Sequence, residues 1–302
     1  MRIVFMGTPD YATKILEGLL DSFEVVALVT QPDKPVGRKQ ILTPPHTKKF
    51  VLDRGLSLKI MQPPTLKDEK IIEELRSLSP DFIVVAAYGM LLPREVLEIA
   101  PCINLHASLL PKYRGASPIQ SALLHGDTTT GVTAMLMDEG LDTGAILGYS
   151  VCDITIEDTA ITLFEKLSLL AKELTPVILR NFSSILPIAQ EDVDASYCKK
   201  IKKSDGLVKF VNALEVYNRY RAFIVWPGVY LESGLKLKEI HLVETTQKHN
   251  AGEILEIEDE AVIVGCLQGS LKIERVQPPS KKEMSAIDYI RGKRLKVGDY
   301  LL

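Results

Sequence analysis

The sequence predicts an α/β chain: a doubly wound parallel-sheet domain followed by a smaller C-terminal β-barrel (OB-like) domain. Three observations carry that expectation. Through residue 182, apolar runs suited to strands alternate with segments of helical period, the pattern of a parallel sheet covered on both faces. Between 187 and 203 the chain turns polar and loses any period. From 206 onward short alternating runs are separated by glycines and acidic turns, as in a small antiparallel barrel. The expected domains are therefore 1–187 and 205–302, joined by a linker over 188–204.

Taken in order, Arg2 to Met6 is an apolar strand ending at Gly7-Thr8-Pro9-Asp10, and Ala12, Ile15, Leu16, Leu19 and Leu20 then repeat at helical spacing. Val25 to Thr30 is a second strand. Gln31 to Thr47 holds Pro32, Pro35, Pro44, Pro45 and Gly37, which argues against a regular element. It also carries Lys34, Arg38 and Lys39, followed by Lys48 and Lys49. A loop of that length in a folded domain usually has a task, and a basic one suits a large anionic substrate. Lys67 to Leu78 reads as a helix and Ile83 to Tyr88 as a strand. Pro118 to His125 reads as a helix, Gly131 to Met137 as a strand, and Thr159 to about Phe182 as a long helix with Leu163, Leu167, Leu170 and Leu174 on one face. In the second half a helix over Ala213 to Phe223 precedes runs at 229–231, 235–242, 252–257, 261–265 and 270–276.

The stretch Asn104 to Gly115 is the end of a buried strand opening into a loop. Strand side chains repeat every two residues, so Asn104 and His106 share a face at the carboxyl end of a strand, where doubly wound sheets bind ligands. An amide that donates and accepts hydrogen bonds thus stands beside an imidazole, the side chain suited to proton transfer near neutral pH. The pair suits a reaction in which a carbonyl gains negative charge while an amine loses a proton. The turn Asp138 to Gly144 places Asp142 between Gly140 and Gly144, where it is positioned to orient or charge-stabilise that imidazole.

Composition excludes several alternatives. With 302 residues, 46% hydrophobic and 25% charged, the chain is long enough for two domains with cores of their own. No apolar run approaches the roughly 18 to 20 residues of a membrane span, and the opening residues lack the pattern of a signal peptide, so a cytoplasmic location is expected. Four scattered cysteines argue against a zinc site or a disulfide framework. The turn after the first strand lacks the second and third glycines of a dinucleotide site. Residues 1–187 carry 18 basic and 22 acidic side chains and residues 188–302 carry 18 and 17, so neither half has a bulk basic field. Contact with a nucleic acid must come from local clusters. Two stand out: Lys199, Lys200, Lys202 and Lys203, and Arg291, Lys293, Arg294 and Lys296.

The combination of Gly7 to Ala12, Gln31 to Arg38, Ala87-Tyr88-Gly89, Asn104 to Gln120 and Gly140 to Gly144 resembles the methionyl-tRNA formyltransferase family of 10-formyltetrahydrofolate-dependent enzymes. The likeness continues through Arg221-Ala222-Phe223, Trp226-Pro227, Gln277-Pro278, Lys281-Lys282 and Met284. It departs from the family pattern at Lys39-Gln40-Ile41, Ile224-Val225 and Ser280. The resemblance implies 10-formyltetrahydrofolate as formyl donor, seated against Ser108, Leu109, Leu110 and Pro111, and methionyl-initiator tRNA as acceptor. It implies Asn104, His106 and Asp142 as the catalytic set, Arg38 and Lys203 as tRNA contacts, and neither a metal nor a nucleotide cofactor. Nothing in the sequence demands a partner subunit, and a monomer is expected. The competing readings are a formyltransferase acting on an amino sugar nucleotide and a catalytically silent RNA-binding protein.

Overall fold

Four consecutive residues of the first strand, Ile3, Val4, Phe5 and Met6, are wholly buried, so both faces of that strand are covered, as a central parallel strand requires. Each such side chain contributes about 1.5–3 kcal/mol by leaving water. The computed structural model describes residues 1–37 and 39–301. By internal packing the chain divides into two units, one formed by Met1–Pro118, Thr129–Asp153 and Leu163–Lys199, the other by Ile119–Thr128, Ile154–Thr162 and Lys200–Leu302.

In the first unit, β1 (Arg2–Gly7), α1 (Asp10–Ser22) and β2 (Glu24–Val29) open the chain. β3 (Lys34–Val36), β4 (Ile41–Thr43), α2 (His46–Asp53) and β5 (Lys59–Met61) follow, then α3 (Glu69–Ser77), β6 (Phe82–Ala86), α4 (Arg94–Leu97) and β7 (Cys102–His106). Next come β8 (Arg114–Gly115), α5 (Pro118–His125), β9 (Thr129–Leu136), β10 (Ile146–Asp153), α6 (Ala160–Asn181) and β11 (Tyr197–Cys198), with α5 and α6 each belonging to the second unit for part of its length. The main sheet runs β10-β9-β7-β6-β1-β2-β5. β7, β6, β1, β2 and β5 are parallel, the doubly wound arrangement read from the sequence. α1 buries Ala12, Ile15, Leu16 and Leu19 of the face anticipated from its period, together with Tyr11, while Leu20 is half-buried.

At one edge the rule changes. β9 is antiparallel to β7, with His106 opposite Thr133, and β10 is antiparallel to β9. β10 escaped the sequence reading because Tyr149 and Val151 occupy its exposed face, which hides the apolar–polar alternation, and because it contains Gly148. The Gln31 to Thr47 segment also needs correction. β3 and β4 pair as a short antiparallel ribbon, and Gly37 and Gln40 between them take positive φ. A two-stranded ribbon is all edge, so the N–H that Pro35 lacks is tolerated there. The segment's basic character is likewise smaller than its composition suggests. Lys48 bonds both Asp33 oxygens at 2.9 Å and Gln62 at 2.7 Å, and Lys49 pairs with Asp53. The Gln62 amide and the Lys48 ammonium together hold the Asp33 carboxyl below its ordinary pKa.

In the second unit, α7 (Ala213–Phe223) precedes β12 (Val229–Tyr230), β13 (Lys236–Glu244), β14 (Ile254–Ile257), β15 (Val262–Gly265), β16 (Ser270–Gln277), β17 (Met284–Ser285) and α8 (Ala286–Lys293). The strands pair antiparallel in the order β12-β13-β16-β15-β14, with β17 on β16. This is the small antiparallel domain expected from the alternating runs. One core unites it: Val229, Leu237, Ile240, Ile254, Val264 and Ile273 from the strands pack with Val216 of α7 and Ile287 of α8. Arg221, almost fully buried, donates to the carbonyls of Thr155 and Asp158 and to Asn218, tying α7 to the 154–162 segment. Among the described residues no helix is long and apolar enough to cross a membrane.

Candidate active site

β7 delivers Asn104 and His106 to one face of the sheet, both nearly buried, as the two-residue period of a strand dictates. Asp142 meets them there. Its Oδ1 lies 3.3 Å from Asn104 Nδ2 and 3.6 Å from His106 Nδ1, while its Oδ2 accepts the Gly115 N–H at 2.8 Å. The three side chains assembled from the sequence are therefore in one place, but the route is not the one the sequence suggested. Because β9 runs antiparallel to β7, its carboxyl end, where Asp142's turn begins, lies beside the start of β7 and not its end. Asp142 reaches His106 because its turn folds back across the face on which Asn104 and His106 project.

That turn is built for the purpose. Asp138 Oδ1 accepts from the Gly140 N–H at 2.9 Å and from the Thr143 hydroxyl at 2.7 Å, an Asx-type brace. Asp142 itself adopts φ +56°, a left-handed conformation that aspartate tolerates better than most residues. A Cβ on Gly144 would stand 1.7 Å from the Leu136 carbonyl oxygen, so only glycine fits where the turn rejoins the sheet.

The imidazole's two nitrogens have different surroundings. Nε2 lies 2.9 Å from the Tyr113 carbonyl oxygen, which only accepts, so Nε2 carries the hydrogen. In the neutral ring Nδ1 is then the lone-pair atom, and it is the one facing Asp142. Nδ1 thus faces a carboxylate that accepts hydrogen bonds from Asn104 and the Gly115 N–H. Asn104 has two amide hydrogens, one of which is directed at Asp142.

Of the residues expected to seat a folate, Ser108 and Leu110 are buried and hold the loop itself. The Ser108 hydroxyl donates to the Lys112 carbonyl at 2.6 Å, while Thr133 Oγ1 donates to the Ser108 carbonyl and accepts the Leu110 N–H. Leu109 and Pro111 are half-buried, and the Leu109 side chain lies close to Gly131. The neighbouring turn after β6 offers a half-buried Met90 and an exposed Leu91, with the Tyr88 carbonyl fixed by Thr8 and Gln31. Apolar side chains on pinned backbone suit a flat heteroaromatic ring.

The stretch read as linker is not idle. β11 pairs in parallel with β8, the strand that begins at Arg114. The Gly115 Cα lies so close to β11 that a Cβ would meet the Cys198 carbonyl oxygen at 2.3 Å. Arg114, 1% exposed, bonds Gln190, Asp192 and Tyr197. Gly115 and Gln190 were missed as site residues. Glycine at 115 carried a faint signal, whereas nothing local marks Gln190, whose partners lie 46 to 76 residues away. Lys203 is exposed at the start of a 3-10 turn, Lys203–Gly206, whose first carbonyl accepts from the Tyr230 hydroxyl. Arg38 lies outside the described residues.

Known proteins share both the sequence and the fold that carry this geometry. Residues 1–179 match the model of the formyl transferase family and residues 200–294 that of the formyl transferase C-terminal domain. The chain is 70% identical over 299 residues to the methionyl-tRNA formyltransferase of a Nitratiruptor species, covering 99% of each chain. It is 55% identical to the methionyl-tRNA formyltransferase of Sulfurimonas denitrificans, covering 100% of each. Among solved structures, the N-formyltransferase from Helicobacter canadensis, in complex with folinic acid and dTDP-3-aminofucose, matches with a TM-score of 0.69 at 18% identity, over 90% of this chain and 98% of that one. At that identity the likeness is one of fold.

Proposed function

This chain belongs to the formyl transferase family over both its domains, and from that premise we propose how its residues carry the reaction. The chain transfers the formyl group of 10-formyltetrahydrofolate to the free amino group of methionyl-tRNA, the step that prepares the initiator for translation. Identity of 70% along the whole chain to a methionyl-tRNA formyltransferase supports this acceptor over an amino sugar nucleotide.

The observation that carries the chemistry is the meeting of Asn104 and His106 at one oxygen of Asp142. As the amine approaches the formyl carbon, the second Asn104 hydrogen donates to the formyl oxygen, where negative charge develops. Such a donor is typically worth a few kcal/mol. His106 Nδ1 takes the amine proton, directly or through one water, and Asp142 stabilises the ring while it is charged. The same proton is then available to the departing folate nitrogen. Leu109 and Pro111, on the loop held by Ser108 and Leu110, border the donor. No step here calls on a metal.

Arg38 and Lys203 are part of the proposal as contacts to tRNA phosphates, with the chain acting as a monomer in the cytoplasm. Lys203→Ala is expected to raise the KM for methionyl-tRNA several-fold without changing kcat, and to lower the slope of log affinity against log salt by about one. An unchanged salt slope would remove Lys203 from the contact surface. The assignment as a whole is tested by offering purified protein and 10-formyltetrahydrofolate either methionyl-tRNA or an amino sugar nucleotide. Formylation of the tRNA alone is expected; formylation of the sugar alone refutes the acceptor.

A further inference from the structure

The Gln190 amide is directed mainly at the framework that aims Asp142, with Met135 Sδ a further contact 3.9 Å from its Nε2. Its Nε2 donates to the Asp142 carbonyl at 3.0 Å and to the Gly144 carbonyl at 2.7 Å, spanning the turn that holds Asp142 at positive φ. Its Oε1 accepts from Arg114 Nε at 3.0 Å. Arg114 immediately precedes Gly115, whose N–H fixes the Asp142 carboxylate from the other side. The Gln190 backbone is placed by Ile188, which exchanges two hydrogen bonds with Ile146 of β10 at 2.8 and 2.9 Å. Arg114 is placed by Ser196, whose carbonyl accepts the Arg114 N–H at 2.8 Å. One side chain thus joins the two backbone segments that determine where Asp142 Oδ1 points.

We infer that Gln190, in the segment between the two family-matched domains, is a positioning residue for formyl transfer: it locks the Asp142 turn to the Arg114–Gly115 strand and acts only through Asp142. The inference rests on the role given to Asp142 above. It requires both halves of the amide, two donors for the turn and one acceptor for Arg114. Glutamate keeps the acceptor but loses the donors, and methionine keeps only the volume.

The test is a double-mutant cycle on the full chain, read by single-turnover formylation of methionyl-tRNA. Gln190→Met is expected to lower the chemical rate about tenfold with KM for both substrates within twofold. Gln190→Glu should do the same, and serves in its place if Gln190→Met fails to fold. In an Asp142→Ala background, where the rate is already low, either substitution should change it by less than twofold. A purely structural role would not produce that collapse of the effect. A Gln190→Met rate within twofold of the parent, or an undiminished tenfold loss in the Asp142→Ala background, overturns the inference while leaving the Asp142 role intact. An Asp142→Ala rate equal to the parent would sink both.

Discussion

Replacing His106 by alanine lowers the rate of formyl transfer by at least about 100-fold, equivalent to about 2.7 kcal/mol of transition-state stabilisation, and leaves tRNA affinity within twofold. The expectation follows from the two nitrogens. Nε2 is committed to the Tyr113 carbonyl, so the proton-accepting atom is Nδ1, and no other described group within reach of Asp142 can take its place: Asn104 and the Gly115 N–H are donors. His106→Gln separates geometry from proton transfer. An amide can still donate toward the Tyr113 carbonyl, yet it accepts no proton, so its rate should fall as far as that of His106→Ala. Single-turnover rates at saturating 10-formyltetrahydrofolate decide the matter. Rates within threefold of the parent in both variants would take His106 out of the mechanism.

How much of this site could be read from the chain depends on how local each interaction is. Asn104 and His106 are two residues apart on one strand, and periodicity alone places them on one face. Asp142 was found through its flanking glycines and the family resemblance, but the reason for its proximity was mistaken. Parallel strands put like ends together, whereas β9 is antiparallel, and only the folded-back turn brings the carboxylate to the imidazole. Nothing in the pattern of apolar residues distinguishes a parallel from an antiparallel neighbour when both are buried.

The features that escaped have other causes. The β3–β4 ribbon was hidden because Pro35 and Gly37 carry the signature of irregular chain, and two three-residue strands are too short to show a period. Lys48 looked like part of a basic surface, yet its charge is consumed by Asp33, which lies 15 residues earlier. The 188–199 stretch looked like linker because its order comes from pairing with Arg114 and Ile146, not from any apolar stripe of its own. For Lys48 and the 188–199 stretch the stabilising partner is distant in sequence and polar, and periodicity reports neither.

The sharpest separation of charge from hydrogen bonding at this site comes from Asn104→Asp, expected to lower the rate on the order of 1,000-fold and to be at least tenfold worse than Asn104→Ala. Alanine removes the donor aimed at the formyl oxygen, a loss typical of one oxyanion donor, roughly 100-fold at the low end. A carboxylate does more harm. It is acceptor-only, so it repels the charge developing on the formyl oxygen. It also faces Asp142 Oδ1 where Asn104 Nδ2 now sits at 3.3 Å. Two carboxylates that close, with both positions nearly buried, favour sharing one proton. That proton would weaken the negative charge that steadies the His106 ring during transfer. The extra loss therefore combines repulsion at the formyl oxygen with loss of the negative charge beside the His106 ring. Equal rates for the two variants would mean that neither effect operates, and the charge-stabilising role of Asp142 would have to be given up.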